Sequence, residues 1–337
     1  MALRLPQEGA YRNLLEESTD SGAILQRMGL AGINEDEGAS SREGTHHPEA
    51  LEQALLNNLL DDVKILVRPI GGVARDLLVH WVRRFELGNL KTIIRGRLLG
   101  RSAAWIQNEL LDVGPFSVLP VADLLQCEDA PEMLRRLETT PYGDIARQAR
   151  NDFEARNDLF TLDASMDKQY YAVLNSRVCA LPASDQQYLR PLLGAIVDRV
   201  NLMWLLRYRF VYNLAPAHTY YLLIPAGGAL GGELLRTLVQ MGSSDEVIRA
   251  LPPVLFALIE GAATLPELED RLACEALRRA EGVLHRAVFS IARAFAYLVL
   301  REHQLRQVHT IRRGKQLSLE KALIKDAVNC ARTVTHV

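Results

Sequence analysis

An acid, an amide and two bases recur in the same order in residues 85–97 and 197–209, and residues 303–315 repeat the pattern with Gln304 in place of the acid. Carboxylates, amides and guanidinium groups form ion pairs and hydrogen bonds, whereas covalent catalysis needs an activated nucleophile beside a base. We therefore expect the residues of this pattern to make contacts, either with partner proteins or between subdomains. They are Glu86, Asn89, Arg95 and Arg97, then Asp198, Asn201, Arg207 and Arg209, and finally Gln307, Arg313 and Lys315.

The spacing within each segment predicts an α-helix. Residues 86, 90, 93 and 97 follow an i, i+4, i+7, i+11 pattern, which places them on one helix face over roughly 16 Å. This face carries an acid, two aliphatic residues and a base. Gly96 and Gly314 resemble C-terminal caps, but Tyr208 takes the same place in the second segment. A left-handed glycine is therefore not required, and we expect each helix to continue through this position.

The three segments are copies of one unit. Their amides are 112 and 106 residues apart, a period too long for a solenoid module. We expect three similar helical subdomains, at residues 1–148 with an exposed loop at 31–48, at 149–262 and at 263–337. Residues 11–29 are expected to form a helical hairpin, and Gly71-Gly72 is expected to separate two long helices. Two shorter helices are expected, at Glu132–Leu137 and Glu246–Leu251.

Composition narrows the class of protein. The 337 residues carry a net charge of −2, with 48% hydrophobic and only 6% aromatic residues. This balance favours packed helices and argues against a basic nucleic-acid surface. The four cysteines are scattered without a Cys-x-x-Cys motif, which fits a reducing compartment. The N-terminus does not resemble a signal peptide, and the most apolar stretch, Leu251–Leu265, is too short to span a bilayer. The sequence predicts an all-α protein that is soluble or peripheral to a membrane.

Other candidate sites do not meet the requirements of the chemistry they suggest. Gly314-Lys315 lacks the upstream glycine and the following Ser or Thr of a phosphate-binding loop. The His46-His47 pair has no third metal ligand, and adjacent histidines point apart. Asp61-Asp62 resembles the acid pair of all-α prenyl-transfer enzymes, but no further acid completes that motif. We expect no cofactor and no metal.

Several stretches together resemble the C-subunit family of V/A-type ATPases, whose equivalent in eukaryotic V-ATPases is called the d subunit. The resemblance is carried by ALEQALLNNLLDDVK, FELGNLKTIIRGRLL, LETTPY, YYAVLNSRV, VDRVNLMWLLRYR and YLVLREHQLRQVHTIRRGKQLSL, which span nearly the whole chain. The chain departs from the family in two ways. It starts just after the place of a helix like Tyr171–Arg177, and Gln304 and Gln307 replace the commoner Glu and Asn.

This resemblance implies a rotor subunit without catalytic activity. Such subunits form a funnel of three helical subdomains around a pseudo-threefold axis, a socket that links the central stalk to the membrane rotor ring and carries torque coupled to ion translocation. The expected partners are central-stalk subunits and the proteolipid ring, with no nucleic acid and no direct nucleotide binding. The expected location is cytoplasmic, peripheral on the cytoplasmic side of the membrane.

The role of the repeated charges and the function of the protein both have alternatives. The apolar middle of each helix, such as Leu90 and Ile93, is expected to pack between helices, and the charged ends are expected to reach rims or a lumen. The repeated charges could equally be structural, as ion pairs within the fold or charges at helix ends. A helical-repeat scaffold for unrelated proteins is the main rival function, and an all-α prenyl-transfer enzyme is the weaker one.

Overall fold

The computed structural model describes residues 50–156, 158–225 and 227–329, and within these ranges it contains helices and no β-strand. The prediction of an all-α fold is confirmed. The expected helical hairpin at 11–29, the loop at 31–48 and the His46-His47 pair lie outside the described residues.

The described helices vary from one turn to seven turns in length. In chain order they are α1 (Ala50–Val67), α2 (Gly72–Leu98), α3 (Ala103–Asn108), α4 (Val121–Leu124), α5 (Ala130–Leu137), α6 (Gly143–Arg156), α7 (Leu159–Cys179), α8 (Ala183–Leu206), α9 (Pro216–Leu222), α10 (Gly232–Leu238), α11 (Ser244–Arg249), α12 (Pro253–Ile259), α13 (Leu265–Arg286), α14 (Ile291–Gln316) and α15 (Lys321–Asn329). A 3₁₀ turn lies at Gly114–Phe116, and a π-helix at Arg207–Val211 continues α8 directly.

The described residues form two compact units, one of residues 50–117 with 294–329 and the other of residues 118–293. We call them unit 1 and unit 2. Helix α14 begins in unit 2 and lies mostly in unit 1. The three subdomains at 1–148, 149–262 and 263–337, and their arrangement as a funnel, stay predictions.

Local sequence signals explain where the helices begin. Asp129, Asp158, Ser243 and Thr264 each precede a helix, and each side chain accepts a backbone N–H bond from its first turn. Gly72 has a φ of +58°, a conformation that glycine adopts at no steric cost, so the expected turn between α1 and α2 is confirmed.

A buried ion pair joins α1 to α14 in the core of unit 1. Asp62 and Arg301 are both 0% exposed, and Arg301 Nε lies 3.2 Å from Asp62 Oδ2. The Tyr297 hydroxyl donates to the same carboxylate oxygen at 2.7 Å. Trp81 and Phe295 pack edge to face beside this core, with ring centroids 4.9 Å apart. The pairing compensates two charges that would otherwise be costly to bury.

Unit 2 has an apolar core and a second buried acid. Helix α13 packs along α8, and leucines from both helices, including Leu205 and Leu272, are fully or almost fully buried. Asp152 on α6 accepts hydrogen bonds from Ser165 on α7 and from the Tyr221 hydroxyl on α9. This carboxylate therefore links three helices of the unit.

Substitution of each of the adjacent acids Asp61 and Asp62 tests how much the buried Asp62–Arg301 pair stabilises the fold. Asp62→Ala leaves Arg301 buried without its counter-ion, so we expect a loss of about 3–5 kcal/mol in the free energy of unfolding. The side chain of Asp61 is 62% exposed and pairs with the exposed Lys64, so we expect Asp61→Ala to cost less than about 1 kcal/mol. Urea denaturation followed by circular dichroism measures both. Equal losses for the two variants would contradict the account.

Candidate functional site

In the second copy of the repeat, the acid and the amide both bind a segment that returns to the helix. Asn201 Nδ2 donates to the Ile224 carbonyl at 3.1 Å, and its Oδ1 accepts from the Ile224 N–H at 2.9 Å. Asp198 accepts three N–H bonds, from Gly228 at 2.9 Å, Ala229 at 2.7 Å and Leu230 at 3.0 Å. These five bonds attach Ile224 and residues 228–230 to α8.

Close backbone approach makes this arrangement possible. A Cβ on Gly228 would lie 2.8 Å from Asp198 Oδ2 and 3.2 Å from the Gly194 backbone, so a larger residue would not fit. Asp198 is 4% exposed. Burial raises the pKa of the Asp198 carboxyl, and the N–H bonds from Ala229, Leu230 and Gly228 oppose that rise. The loop thus supplies the solvation that water would give an exposed carboxylate.

The first copy repeats the contact of the amide. Asn89 Nδ2 donates to the Leu111 carbonyl at 2.7 Å, and Asn89 Oδ1 accepts from the Leu111 N–H at 2.9 Å. The acid Glu86 is 1% exposed and accepts from the Ser117 hydroxyl at 2.9 Å. The first two copies therefore share a buried acid and a buried amide on the same face of the helix.

The third copy keeps only part of this arrangement. Gln307 is 8% exposed, and its Nε2 donates to the Val328 carbonyl at 3.2 Å. Gln304, which stands in the place of the acid, has a buried Oε1 that no described residue contacts with a hydrogen bond. An amide carries no charge, so this copy has no carboxylate contact at that position.

Each repeat helix continues through the position of Gly96, Tyr208 and Gly314, as the sequence predicts. The two glycines have a packing role. A Cβ on Gly96 would lie 2.6 Å from Ile106 Cγ1, and a Cβ on Gly314 would lie 2.6 Å from Ile324 Cγ1. The next helix thus approaches α2 and α14 in the same way, ten residues after each glycine.

The turns that follow these two glycines have the same hydrogen bonds. In the first copy, N–H groups of residues 99, 100 and 101 donate to carbonyls of residues 95, 97 and 96. In the third copy, residues 317, 318 and 319 donate to residues 313, 315 and 314. Gly100 and Ser318 both have positive φ, +66° and +52°. The repeat therefore includes the turn as well as the helix.

The second copy has one additional residue, which the π-helix Arg207–Val211 accommodates. Asn213, with a φ of +54°, corresponds to Gly100 at a separation of 113 residues, whereas Asn89 and Asn201 are 112 apart. Tyr208 fills the place of the glycine, and its ring stacks on Trp204 at a centroid distance of 6.0 Å. Burial raises the pKa of the Tyr208 hydroxyl above its ordinary value.

The candidate arginines and lysine differ in exposure. Arg207 pairs with Glu269 at 2.9 Å. Arg209 donates to the carbonyls of Val239 at 2.8 Å and Leu214 at 2.7 Å, and to that of Met241 at 3.4 Å. Of the other candidate bases, Arg97 is half-buried, and Arg95, Arg313 and Lys315 are exposed.

The expectation that the repeated acids reach a rim is corrected by these positions. Glu86 and Asp198 are buried and bound within their own units, so their carboxylates do not reach an exposed rim. Asp62, from the acid pair that resembles a prenyl-transfer motif, is neutralised by Arg301 and is 0% exposed. That carboxylate is not available to a magnesium ion.

Metal-binding clusters and membrane-spanning helices are both absent from the described residues. No group of three or more His, Cys, Asp or Glu side chains in them is placed to hold a metal ion. No helix among them is long and apolar enough to cross a membrane.

Comparison with protein families gives a match over almost the whole chain. The model of the family described as ATP synthase (C/AC39) subunit matches residues 4–327, which include all three copies of the repeat. The chain belongs to this family.

Three similar proteins are each described as the C subunit of an A-type ATP synthase. The protein of Methanosarcina barkeri (strain Fusaro / DSM 804) is 27% identical over 281 residues, covering 82% of this chain and 76% of the relative. That of Methanocaldococcus jannaschii is 22% identical over 92% of this chain and 80% of the relative. The Halobacterium salinarum protein is 26% identical over 92% of this chain and 89% of the relative.

In this member of the ATP synthase (C/AC39) family, the sequence did not reveal which groups the candidate residues bind. Leu111 and Ile224 bind the amides through backbone groups, and a backbone group leaves no mark on residue type. The isoleucine contacts did have a signal, because an isoleucine follows ten residues after the glycine in both GRLLGRSAAWI and GKQLSLEKALI. We found no signal in the sequence for the role of Arg301 as the partner of Asp62.

Helix α2 contains a matched pair of glycines that tests the close packing. We expect Gly96→Ala to destabilise the protein by about 1–3 kcal/mol, because the new Cβ would collide with the buried Ile106. Gly88 is exposed, and no atom lies within 4 Å of the position that a Cβ would occupy there, so we expect Gly88→Ala to stabilise by up to about 1 kcal/mol. Thermal unfolding measures the signs of both changes. A gain from Gly96→Ala would contradict the proposed packing role.

The buried amide of the second copy gives a local test. Asn201→Ala leaves the Ile224 N–H and carbonyl without their partner, and we expect a loss of about 1–3 kcal/mol. Hydrogen exchange of the Ile224 amide should accelerate more than that of amides in α13. Gln187→Ala is the control, since the Gln187 side chain makes only an exposed bond to Ser184. Unchanged exchange at Ile224 in Asn201→Ala would contradict the assignment.

Proposed function

We propose that this protein is a non-catalytic rotor subunit of an A-type ATP synthase, which links the central stalk to the membrane rotor ring. The observation that carries the proposal is the family match over residues 4–327. Relatives described as the C subunit of an A-type ATP synthase align over 76–89% of their own length, so the likeness extends beyond one shared segment. The motor would move ions across the membrane as it makes or consumes ATP.

The chemistry of the buried charges supports a role without catalysis. Asp62 is paired with Arg301, and Asp198 is bound by three backbone N–H groups. Asp152 is bound by hydroxyl groups of two other helices. These carboxylates stabilise the fold, and none has the exposure that a general base or a metal ligand needs. We propose no cofactor.

The repeat supports a mechanical role. Each copy ties a long helix to a segment about 22 residues later through a buried amide. Such ties resist bending, because opening one exposes unpaired backbone groups in a dry environment. A part that transmits torque needs this stiffness. We propose that three such subdomains close around a pseudo-threefold axis as a socket, and that the protein is peripheral on the cytoplasmic side of the membrane.

Purification of the complex from native membranes tests this function. We expect the chain to co-elute with the ATPase headpiece and with the proteolipid ring. Deleting the chain should separate these two parts, so that the headpiece still hydrolyses ATP but no longer drives ion transport. An intact, coupled complex without the chain would overturn the proposal, and recovery of the chain only with unrelated proteins would favour a helical-repeat scaffold.

The repeated bases are proposed as contacts of this assembly, and the structure decides which of them make clean tests. Charge reversal at Arg209 would break three bonds to backbone carbonyls, so a loss of binding there would have two explanations. The exposed Lys315 is the better choice. We expect Lys315→Glu to weaken binding of the assembly without a change in thermal stability. Unchanged binding to both stalk and ring would remove Lys315 from the interface.

A further inference from the structure

Unit 2 contains a small cleft beside the contacts of Asp198. The cleft has a volume of about 90 Å³ and lies between α8, α12 and α13, and Gly228 and Ala229 of the returning segment also line it. All of its lining residues belong to unit 2. Since a cavity of about 150 Å³ holds the six carbons of benzene, a cleft of this volume has room for a group of about four carbons.

The wall of the cleft is mainly apolar. Its apolar side chains come from three helices and include Pro191 and Ala195 of α8, Leu255 and Leu258 of α12, and Leu272 of α13. Leu255 and Leu272 are buried members of the core of unit 2, so the packing of the core holds this part of the wall in place. An aliphatic group that enters the cleft would leave water for an apolar surrounding, which is favourable.

The charged side chains that line the cleft are two acids and one base. They are Asp198 of α8 with Glu275 and Arg279 of α13. Arg279 is already engaged, because its Nε lies 2.6 Å from Glu275 Oε1 and its Nη1 donates to the Pro191 carbonyl at 3.1 Å. Glu275 also pairs with Arg278 at 2.7 Å, but Arg278 is not among the lining residues. An anion in the cleft would meet two carboxylates and an engaged guanidinium group, whereas a cation would be attracted.

The carboxylate of Asp198 has capacity for a further favourable interaction. A carboxylate offers about four acceptor sites, and the N–H groups of residues 228–230 use three of those on Asp198. Burial still raises the pKa of the Asp198 carboxyl, although these bonds and the charge of Arg279 oppose the rise. A cation in the cleft would stabilise the ionised carboxylate, because attraction between charges is stronger away from bulk water.

We propose that this cleft binds a small primary alkylammonium ion. The aliphatic stem of about four carbons lies against Leu255, Leu258 and Leu272, and the ammonium group lies beside Asp198 and Glu275. The ligand is a free small amine, because a carboxylate as buried as Asp198 is within reach of a small molecule in the cleft but not of a protein surface. The bound ion would join α8, α12 and α13 and so stabilise unit 2. This inference does not depend on the proposed function.

Methyl NMR spectra of the full-length chain test the site with three probes that share one stem. The probes are n-butylammonium, butyrate and n-butanol, which carry a positive charge, a negative charge and no charge. Saturable shifts of the methyl groups of Leu255, Leu258 and Leu272 report binding in the cleft.

Two variants with the same substitution separate the cleft from the rest of the surface. Ala195→Leu fills the cleft from α8. Ala257→Leu is the control, since Ala257 is exposed on α12 and is not among the lining residues. Both changes suit a helix, and thermal unfolding verifies that both variants fold like the wild type.

We expect n-butylammonium to bind at least tenfold more tightly than butyrate or n-butanol. Ala195→Leu should weaken this binding at least tenfold, and Ala257→Leu should bind like the wild type. The carboxyl carbon of Asp198 should titrate at lower pH when n-butylammonium is bound, because a nearby cation favours the ionised form. Equal binding of the three probes, the absence of a saturable shift, or binding that survives Ala195→Leu would each overturn the inference.

Discussion

One buried side-chain amide in each repeat bonds to the backbone of a segment about 22 residues later, and the architecture of the repeat depends on that contact. Asn201 satisfies both the N–H and the carbonyl of Ile224 in a fully buried position. Asn89 does the same for Leu111, and Gln307 keeps one of the two bonds. Since a buried backbone group without a partner is costly, the amide fixes where the chain returns to its helix. The helix, the turn and the returning segment then behave as one element.

The same contacts divide the repeated polar residues by role. Residues that are buried and bound inside the fold, such as Asp198 and Glu86, give each copy its shape and are not available to a partner. Exposed side chains such as Leu99 and Leu317 lie where the repeat helix ends, at the turn that Gly100 and Ser318 share. The proposed role in carrying torque would need both properties, a stiff interior and a separate surface for neighbouring subunits. This division follows from burial, because a carboxylate that is only 4% exposed, as that of Asp198 is, cannot be reached by another protein.

Features with a local cause were predictable from the sequence. The helical period identified α2, α8 and α14, the Gly71-Gly72 pair located the turn, and Tyr208 showed that the helix continues. Features that depend on distant neighbours were not predictable. The sequence does not distinguish the buried Asp62 from the exposed Asp61, because only the position of Arg301 on α14 separates them. The acids Glu86 and Asp198 were expected at rims for a related reason, since their partners are backbone groups or hydroxyls that carry no charge signal.

An electron cryo-microscopy map of the whole complex, purified from native membranes, tests the account most directly. The account predicts density for this chain on the rotation axis between the central stalk and the membrane ring, with three similar helical subdomains around that axis. A map that places the chain away from the axis, or that shows stalk and ring joined without it, would contradict the account.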